Sequence, residues 1–485
     1  MEAWEIGERD VAGKEQDHLP DAHNAMDKIP SSFKHASFSG LIGIAQADIT
    51  PPVGIYLRNW GAAKHDTADG VHRPLTLTAL TLQLNAQSKP LVLIDLDASN
   101  WRSIAVEQEL RQNVIEALGI DRSRLLIGLT HSHSAPALAE FDPAWQGGEL
   151  LHAHLQAVQQ AAIEATQRAL QSATPATLDW NVGRCGLATN RDLRDPDEED
   201  RIVSGFNPSA EADDTLVVGR VTDTAGKIIG TIVNYACHPT TLAWENALIS
   251  PDFVGAMRET IAANSAGAPA MFLQGASGEL APRYQYVGDV TVADTHGRQL
   301  AYSALAALED MEPAGMELTY GGLVESGAPL AVWNRTPFAA STNLQALNRS
   351  VDLPLKNWPS ADQLEKERQR CTERTIEERL RRKRDIRRVL GDGKTFSMPF
   401  WVWRVGDAFL VGCMMEAYSW MQRHLRQRFP DNTIIYANLV NGSIGYLPPA
   451  KMYAIEVYQV WQTPFERGSL EILAKAYEEA IESLL

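Results

Sequence analysis

The stretch Leu126-Ile127-Gly128-Leu129-Thr130-His131-Ser132-His133-Ser134-Ala135-Pro136 constrains the fold of this chain more than any other. A short, uncharged apolar run ends abruptly at two histidines one residue apart. Such a run reads as a buried strand. Side chains alternate along a strand, so His131 and His133 are expected on one face at its end. Imidazole is the commonest transition-metal ligand and a general base near neutral pH. A strand end opening into a Ser/Pro loop is where α/β folds place their chemistry. The bland alternative is a pair of surface histidines in a turn.

The same style of segment recurs along the chain. Leu41 to Ala45, Leu75 to Leu84 and Leu91 to Leu96 read as strands, and Ser103 to Leu118 and Glu149 to Ser172 as helices. Leu216 to Val221 and Ile228 to Tyr235 predict a hairpin around Thr224-Ala225-Gly226-Lys227. Asp252 to Ala263 and Val292 to Leu308 read as helices, with the strand Ala270 to Leu273 between them. Phe400 to Val405 and Ala408 to Met414 read as paired strands. Strand and helix signals alternate, so the expected class is α/β, a mixed β-sheet core with helices packed on it. Residues 1–37 are polar and unpatterned, a predicted N-terminal arm. Residues 38–485 are expected to form one catalytic domain. A densely charged stretch, Asp362 to Arg388, predicts a helical insertion over about 355–392 whose role is a solvated face.

Charge narrows the partners. The net charge of -17 argues against a nucleic-acid or anionic-membrane partner. No stretch approaches a membrane span. The four cysteines, Cys185, Cys237, Cys371 and Cys413, are widely spaced and contain no CxxC, so neither a disulfide framework nor a structural zinc knuckle is indicated. The first residues carry no basic and apolar leader pattern, which leads to the expectation of a cytoplasmic protein. A small-molecule or oligosaccharide substrate fits these limits, and a homo-oligomer is compatible with them.

Four places share one signature: an apolar strand ending in residues that bind metal or move protons. They are His131/His133, then His238 in Asn234-Tyr235-Ala236-Cys237-His238-Pro239-Thr240, then Glu416 after Gly412-Cys413-Met414-Met415, then Tyr446 in Gly445-Tyr446-Leu447-Pro448. Taken singly, each has a structural reading: a hydrogen-bonded core histidine, a carboxylate at a helix start, a packed turn aromatic. Together they can supply two nitrogens and a carboxylate oxygen to a zinc ion with room for water.

The order of these motifs resembles the neutral/alkaline ceramidase superfamily over roughly residues 40 to 460. Gly43-Ile44-Ala45-Gln46-Ala47-Asp48-Ile49-Thr50-Pro51 resembles the family's opening G-x-x-x-A-D-I-T-P. Thr130 to Pro136 resembles T-H-T-H-S-G-P, and His238-Pro239-Thr240 its H-P-T. Gly278-Glu279-Leu280-Ala281-Pro282-Arg283 takes the place of G-D-V-S-P-N. The resemblance implies a neutral-ceramidase-like catalytic domain with one zinc ion per chain, held by His131, His238, Glu416 and Tyr446. It implies a catalytic or supporting role for His133. Arg191 falls where the family holds the substrate carbonyl or oxyanion, or else belongs to the charged run Arg191 to Arg201. Glu279 stands for the family's Asp as a proton shuttle, or is a loop carboxylate. Asp252 orients a histidine or caps the helix that follows.

The departures point away from ceramide. The family's catalytic serine is Ala281 here, and Ser277, four residues earlier, is no assured replacement. The chain also stops soon after Tyr446, without the family's C-terminal immunoglobulin-like domain. The leading expectation is a zinc-dependent hydrolase that cleaves an amide or related acyl bond of a soluble substrate. A second is a metal-dependent lyase acting on uronic-acid sugars, with Trp60, Trp101, Trp145, Trp244, Trp333 or Trp403 stacking on rings. A third is a non-catalytic metal-binding member. The metallo-β-lactamase pattern fits worse, since Ser134-Ala135 replaces its Asp-His pair.

Overall fold

The computed structural model describes residues 31–139, 145–198 and 201–485. The eight main strands of the first sheet are β1 (Ala36–Asp48), β2 (Thr76–Gln83), β3 (Leu91–Leu96), β4 (Leu125–Leu129), β5 (Thr174–Arg184), β6 (Thr215–Asp223), β7 (Ile228–Tyr235) and β8 (Ala270–Gln274). They run in the order β8-β7-β6-β5-β1-β2-β3-β4. The outermost pairs, β7 with β8 and β3 with β4, are parallel, and the pairs between them are antiparallel. A second sheet holds β9 (Leu344–Pro354), β10 (Thr395–Val405), β11 (Ala408–Cys413) and β12 (Thr433–Ala437) in sequence order, with β11 and β12 parallel.

Side-chain alternation explains the layering. In β2, Leu77 and Ala79 face a helix-side core, while Leu80 and Leu82 face the second sheet. In β10, Trp401 and Trp403 point to the first sheet, while Phe400 and Val402 point the other way. Strands buried on both faces carry apolar runs with few interruptions, as in β4, where every residue is buried. Helices α1 (Ile104–Leu118) and α2 (Glu149–Gln171) cover the β1–β4 half of the first sheet. Helices α3 (Phe253–Asn264) and α4 (Val290–Glu309) cover the β5–β8 half on the same face. Helix Ser469–Glu482 covers the outer face of the second sheet. The fold is therefore mixed α/β with two sheets packed face to face. The expected α/β class with a mixed β-sheet core and packed helices holds, and the core contains two such sheets. Thr174–Arg184, Leu344–Pro354 and Thr433–Ala437 are strands that no sequence pattern above marks.

Helix starts follow local chemistry. Ser103 caps α1 by accepting from Val106 N–H, a cap worth about 1 kcal/mol. Asp252 caps α3. The charged stretch forms two helices, α5 (Ala361–Arg370) and α6 (Arg374–Leu390), and Ser360 with Gln363 makes a reciprocal capping box at the first.

The predicted arm over 1–37 falls mostly outside the described residues. Strand β1 already begins at Ala36. Of the described residues, 31–34 and Met316–Phe338 group as a small unit, separate from the main one. Within the small unit, Met316–Glu325 pairs antiparallel with Ser32–Phe33 and with Pro329–Pro337. The stretch Met316–Phe338 thus groups apart from the rest of 38–485. Among the described residues, no helix is long and apolar enough to cross a membrane.

Candidate metal centre

The first sheet brings its two outer strands, β4 and β8, near one another, and the Gly128 backbone faces Leu273 of β8. The segment after β12 stitches the strand ends together. Asn438 N–H donates to Gln274 O at the end of β8. Asn441 accepts from Ile127 N–H at 2.9 Å and donates to Leu125 O at 3.0 Å, both in β4. Leu439 and Val440 donate to Met415 and Cys413, at the end of β11. The C-terminal ends of β4, β7, β8 and β11 therefore face one place, as the carboxyl-end rule for parallel strands anticipates.

His131 and His133 reach this place by a different route from strand alternation. The strand ends at Leu129, and His131 takes φ 66°, a left-handed conformation that costs a non-glycine residue free energy. That turn brings His133 Nε2 within 3.3 Å of His131 Nε2. His131 Nδ1 donates to Ser99 O. His238 Nδ1 donates to Ser277 O at 2.7 Å. Carbonyl oxygens only accept, so both rings carry a proton on Nδ1 and turn Nε2 inward. Glu416 Oε2 lies 3.3 Å from His131 Nε2 and 3.0 Å from His238 Nε2. The nitrogens of His131, His133 and His238 all lie within 4.8 Å of one another.

The His238 Nε2 lone pair thus faces the Glu416 carboxylate at 3.0 Å with no proton between them, and His131 Nε2 lies 3.3 Å from the same oxygen. Burial, helped by Arg191, pushes the His238 imidazole down to about 4, so the ring stays neutral near pH 7. Burial raises Glu416, but the adjacent His131 and His238 overcome it and hold the carboxyl well below its usual range. Such an arrangement repels itself unless a cation occupies its centre, so the residues fit a metal ion.

Tyr446 arrives through a two-strand pairing, in which Glu416–Ala417 runs parallel to Tyr446–Leu447 with Glu416 opposite Tyr446. Its hydroxyl lies 3.5 Å from His238 Nε2. Arg191 is buried, donates to Gly278 O at 2.7 Å and to Tyr446 Oη at 3.2 Å, and sits 3.3 Å from His238 Nε2. It is therefore buried beside His238 and Tyr446 and is not part of a surface charge run. The strand Leu280–Pro282 pairs with Ala188–Asn190 and so fixes the approach to Arg191. Trp60 packs on His133 at 5.1 Å between ring centroids.

Other expectations need correction. Glu279 accepts from Ser419 N–H at 3.0 Å and from Ser419 Oγ, so its carboxylate is engaged away from the histidines. Asp252 accepts from Phe253 N–H and Leu242 N–H, which leaves it a helix cap. Ser277 contributes its carbonyl, while its hydroxyl accepts from Gln274. Ala281 is fully buried in its strand and presents no hydroxyl. Trp403 is a core residue whose indole donates to Ser123 O. Trp333 belongs to the small unit.

A cleft of about 640 Å³ opens on His131, His133, Glu416 and Tyr446. Trp101 and Trp145 line it. So does one face of α6, including Arg381 and Arg382, where a solvated insertion was expected. The arginine-rich composition of that helix was the available signal, but its meaning depends on what the helix packs against.

Residues 41–285 match the family described as neutral/alkaline non-lysosomal ceramidase, N-terminal domain. This chain belongs to that family. Its matched part contains His131, His133, Arg191 and His238, while Glu416 and Tyr446 lie beyond it. The ceramidase fold extends further. A ceramidase complexed with C2 superposes with a TM-score of 0.65 at 15% identity, covering 91% of this chain and 74% of that one. Neutral ceramidase from Pseudomonas aeruginosa superposes with a TM-score of 0.64 at 16% identity, covering 92% and 74%. No curated protein matches by sequence.

Glu279 gives a pH test within this ceramidase-like site. Burial pushes its carboxyl up to about 7, with the Ser419 donors opposing. The folded state then holds an extra proton between about pH 4.5 and the folded value, so stability falls as pH rises through that window. Glu279→Gln removes this slope. Urea unfolding of both proteins is expected to show the variant gaining on wild type between pH 5 and pH 8, by an amount on the order of 2 kcal/mol. An unchanged difference at the two pH values contradicts the assignment.

Proposed function

We propose that this ceramidase-family chain is a zinc-dependent hydrolase that cleaves an amide or related acyl bond of a small soluble substrate. The carrying observation is the convergence of His131 Nε2 and His238 Nε2 on one carboxylate oxygen, Glu416 Oε2, at 3.3 and 3.0 Å. Two imidazoles and a carboxylate, with Tyr446 beside them, suit zinc better than a hard cation. Zinc bound there polarises a carbonyl and acidifies water near neutral pH.

The chain's own groups supply the rest. Arg191, always charged, stands beside Tyr446 and stabilises negative charge developing on the substrate's carbonyl oxygen. His133 keeps its Nε2 at the pole, while its Nδ1 is buried without a hydrogen-bond partner among the described residues. A ring with one nitrogen at the reacting centre is placed to take a proton from the attacking water and pass it to the leaving group. Trp60 fixes the orientation of that ring by packing. Ala281 offers no nucleophile, so attack by water is the route left open.

Dialysis against a strong chelator is expected to abolish cleavage of N-acyl and ester substrates, and stoichiometric zinc to restore it. Each turnover should release one acid and one amine or alcohol. A product absorbing at the ultraviolet edge, formed from a uronate polymer without acyl release, would replace hydrolysis with β-elimination.

A further inference from the structure

The whole chain is acidic, yet the cleft at the metal centre is lined by arginines. Five guanidinium groups reach it, from Arg102, Arg381, Arg382, Arg384 and Arg388, against the carboxylates of Asp385 and Glu416. Two of the five are neutralised locally. Arg384 pairs with Glu365 and with Asp385, and Arg388 lies 3.6 Å from Asp385.

Among the described residues, the other three are short of countercharge. Arg381 meets Glu377 only at 3.8 Å, and its Nε is buried without a partner. Arg382 meets Glu378 at 3.7 Å, and that carboxylate is shared with Arg58 at 3.5 Å. Arg102 has no carboxylate within 4 Å among the described residues, donates to Arg58 O, and leaves its own Nε without a partner. Arg102 and Arg381 both sit over the Trp145 indole, at 5.4 and 4.9 Å from its ring centroid. Stacking on one ring fixes both guanidinium planes while leaving their N–H edges available. Buried donors without acceptors are costly, and a ligand that supplies oxygen acceptors relieves that cost.

We propose that the substrate carries an anionic oxygen group, a carboxylate, sulfate or phosphate, which Arg381 and Arg382 of α6 bind together with Arg102 in the cleft that holds the metal centre. The proposal rests on reading that cleft as the substrate site. Planar guanidinium forks match such oxyanions in two-point contacts. An acidic surface around a basic cleft disfavours long polyanions and admits a small acid.

The test is calorimetric titration of the zinc-loaded, full-length protein with inorganic sulfate, inorganic phosphate and acetate in low-chloride buffer. The three anions separate the three possible headgroups. Binding of at least one is expected, about tenfold weaker in Arg382→Gln and about a hundredfold weaker in the double variant with Arg381→Gln. Arg382→Lys should recover part of the loss. Arg379→Gln, at an exposed position of α6 outside the cleft lining, should bind as wild type and controls for helix damage. His131→Ala separates the two claims. Anion binding retained in that variant, whatever happens to cleavage, supports the arginine site. Binding lost in His131→Ala but unchanged in the double arginine variant places the anion on the metal and overturns the proposal. Absence of binding by all three anions overturns it as well.

Discussion

Glu416→Gln is expected to empty the metal centre and to lower kcat/KM by about a thousandfold or more. The carboxylate is the only anionic member of the acceptor cluster and touches both ligand histidines, at 3.0 and 3.3 Å. A glutamine keeps the shape but brings no charge to offset a dication, and its amide can turn a donor toward the imidazoles. Losing the metal's stabilisation of transition-state charge removes several kcal/mol, and about 4 kcal/mol corresponds to about a thousandfold in rate. Zinc content after dialysis gives a readout independent of any substrate. Stoichiometric zinc and wild-type turnover in the variant would remove Glu416 from the site. Unfolding curves show whether the variant is folded.

Arg258→Met is expected to cost about 3–5 kcal/mol of stability, the usual range when one partner of a buried ion pair is removed. Arg258 on α3 binds Asp95 Oδ2, and binds Asp97 Oδ2 at 2.7 Å. Asp95 also accepts from Phe272 N–H of β8. This cluster therefore ties β3 to β8, two strands from opposite ends of the sheet order, beneath the place where the site residues meet. Burial already pushes Asp95 up to about 6, with Arg258 opposing. Without the arginine the buried Asp95 carboxylate favours its protonated form still more. The penalty should then be largest above pH 7 and shrink as pH falls below 6. Urea unfolding at pH 5 and pH 8 measures both quantities. A loss below about 1 kcal/mol at pH 8 would mean that the cluster is solvated or relaxes.

Much of the site was legible because its residues sit at strand ends. His131, His238 and Glu416 each follow an apolar run by one to three positions, and runs are what sequence periodicity detects best. The proximity of the two early histidines was anticipated, but its cause was not. Strand alternation would have put them on one face, whereas the positive φ at His131 makes a turn that no residue type there demands. Glu279 shows the opposite failure. Its position in the motif suggested chemistry, but Ser419, 140 residues later, engages its carboxylate. The α6 arginines were visible as composition and misread as a solvated face, because charge pattern does not reveal which face is covered.

The sequence by itself determined the α/β class, the apolar strands that carry the candidate donors, and the chemical types of those donors. Those follow from local pattern and side-chain chemistry. Only the tertiary structure decided the pairing of two sheets, the tautomers of His131 and His238, and the arginine lining of the cleft. Each depends on groups far apart in the chain, such as Asn441 binding β4, Ser277 accepting from His238, and α6 facing Trp145. A contact made across so many residues leaves no periodic trace in either segment, so it emerges only when the chain has folded.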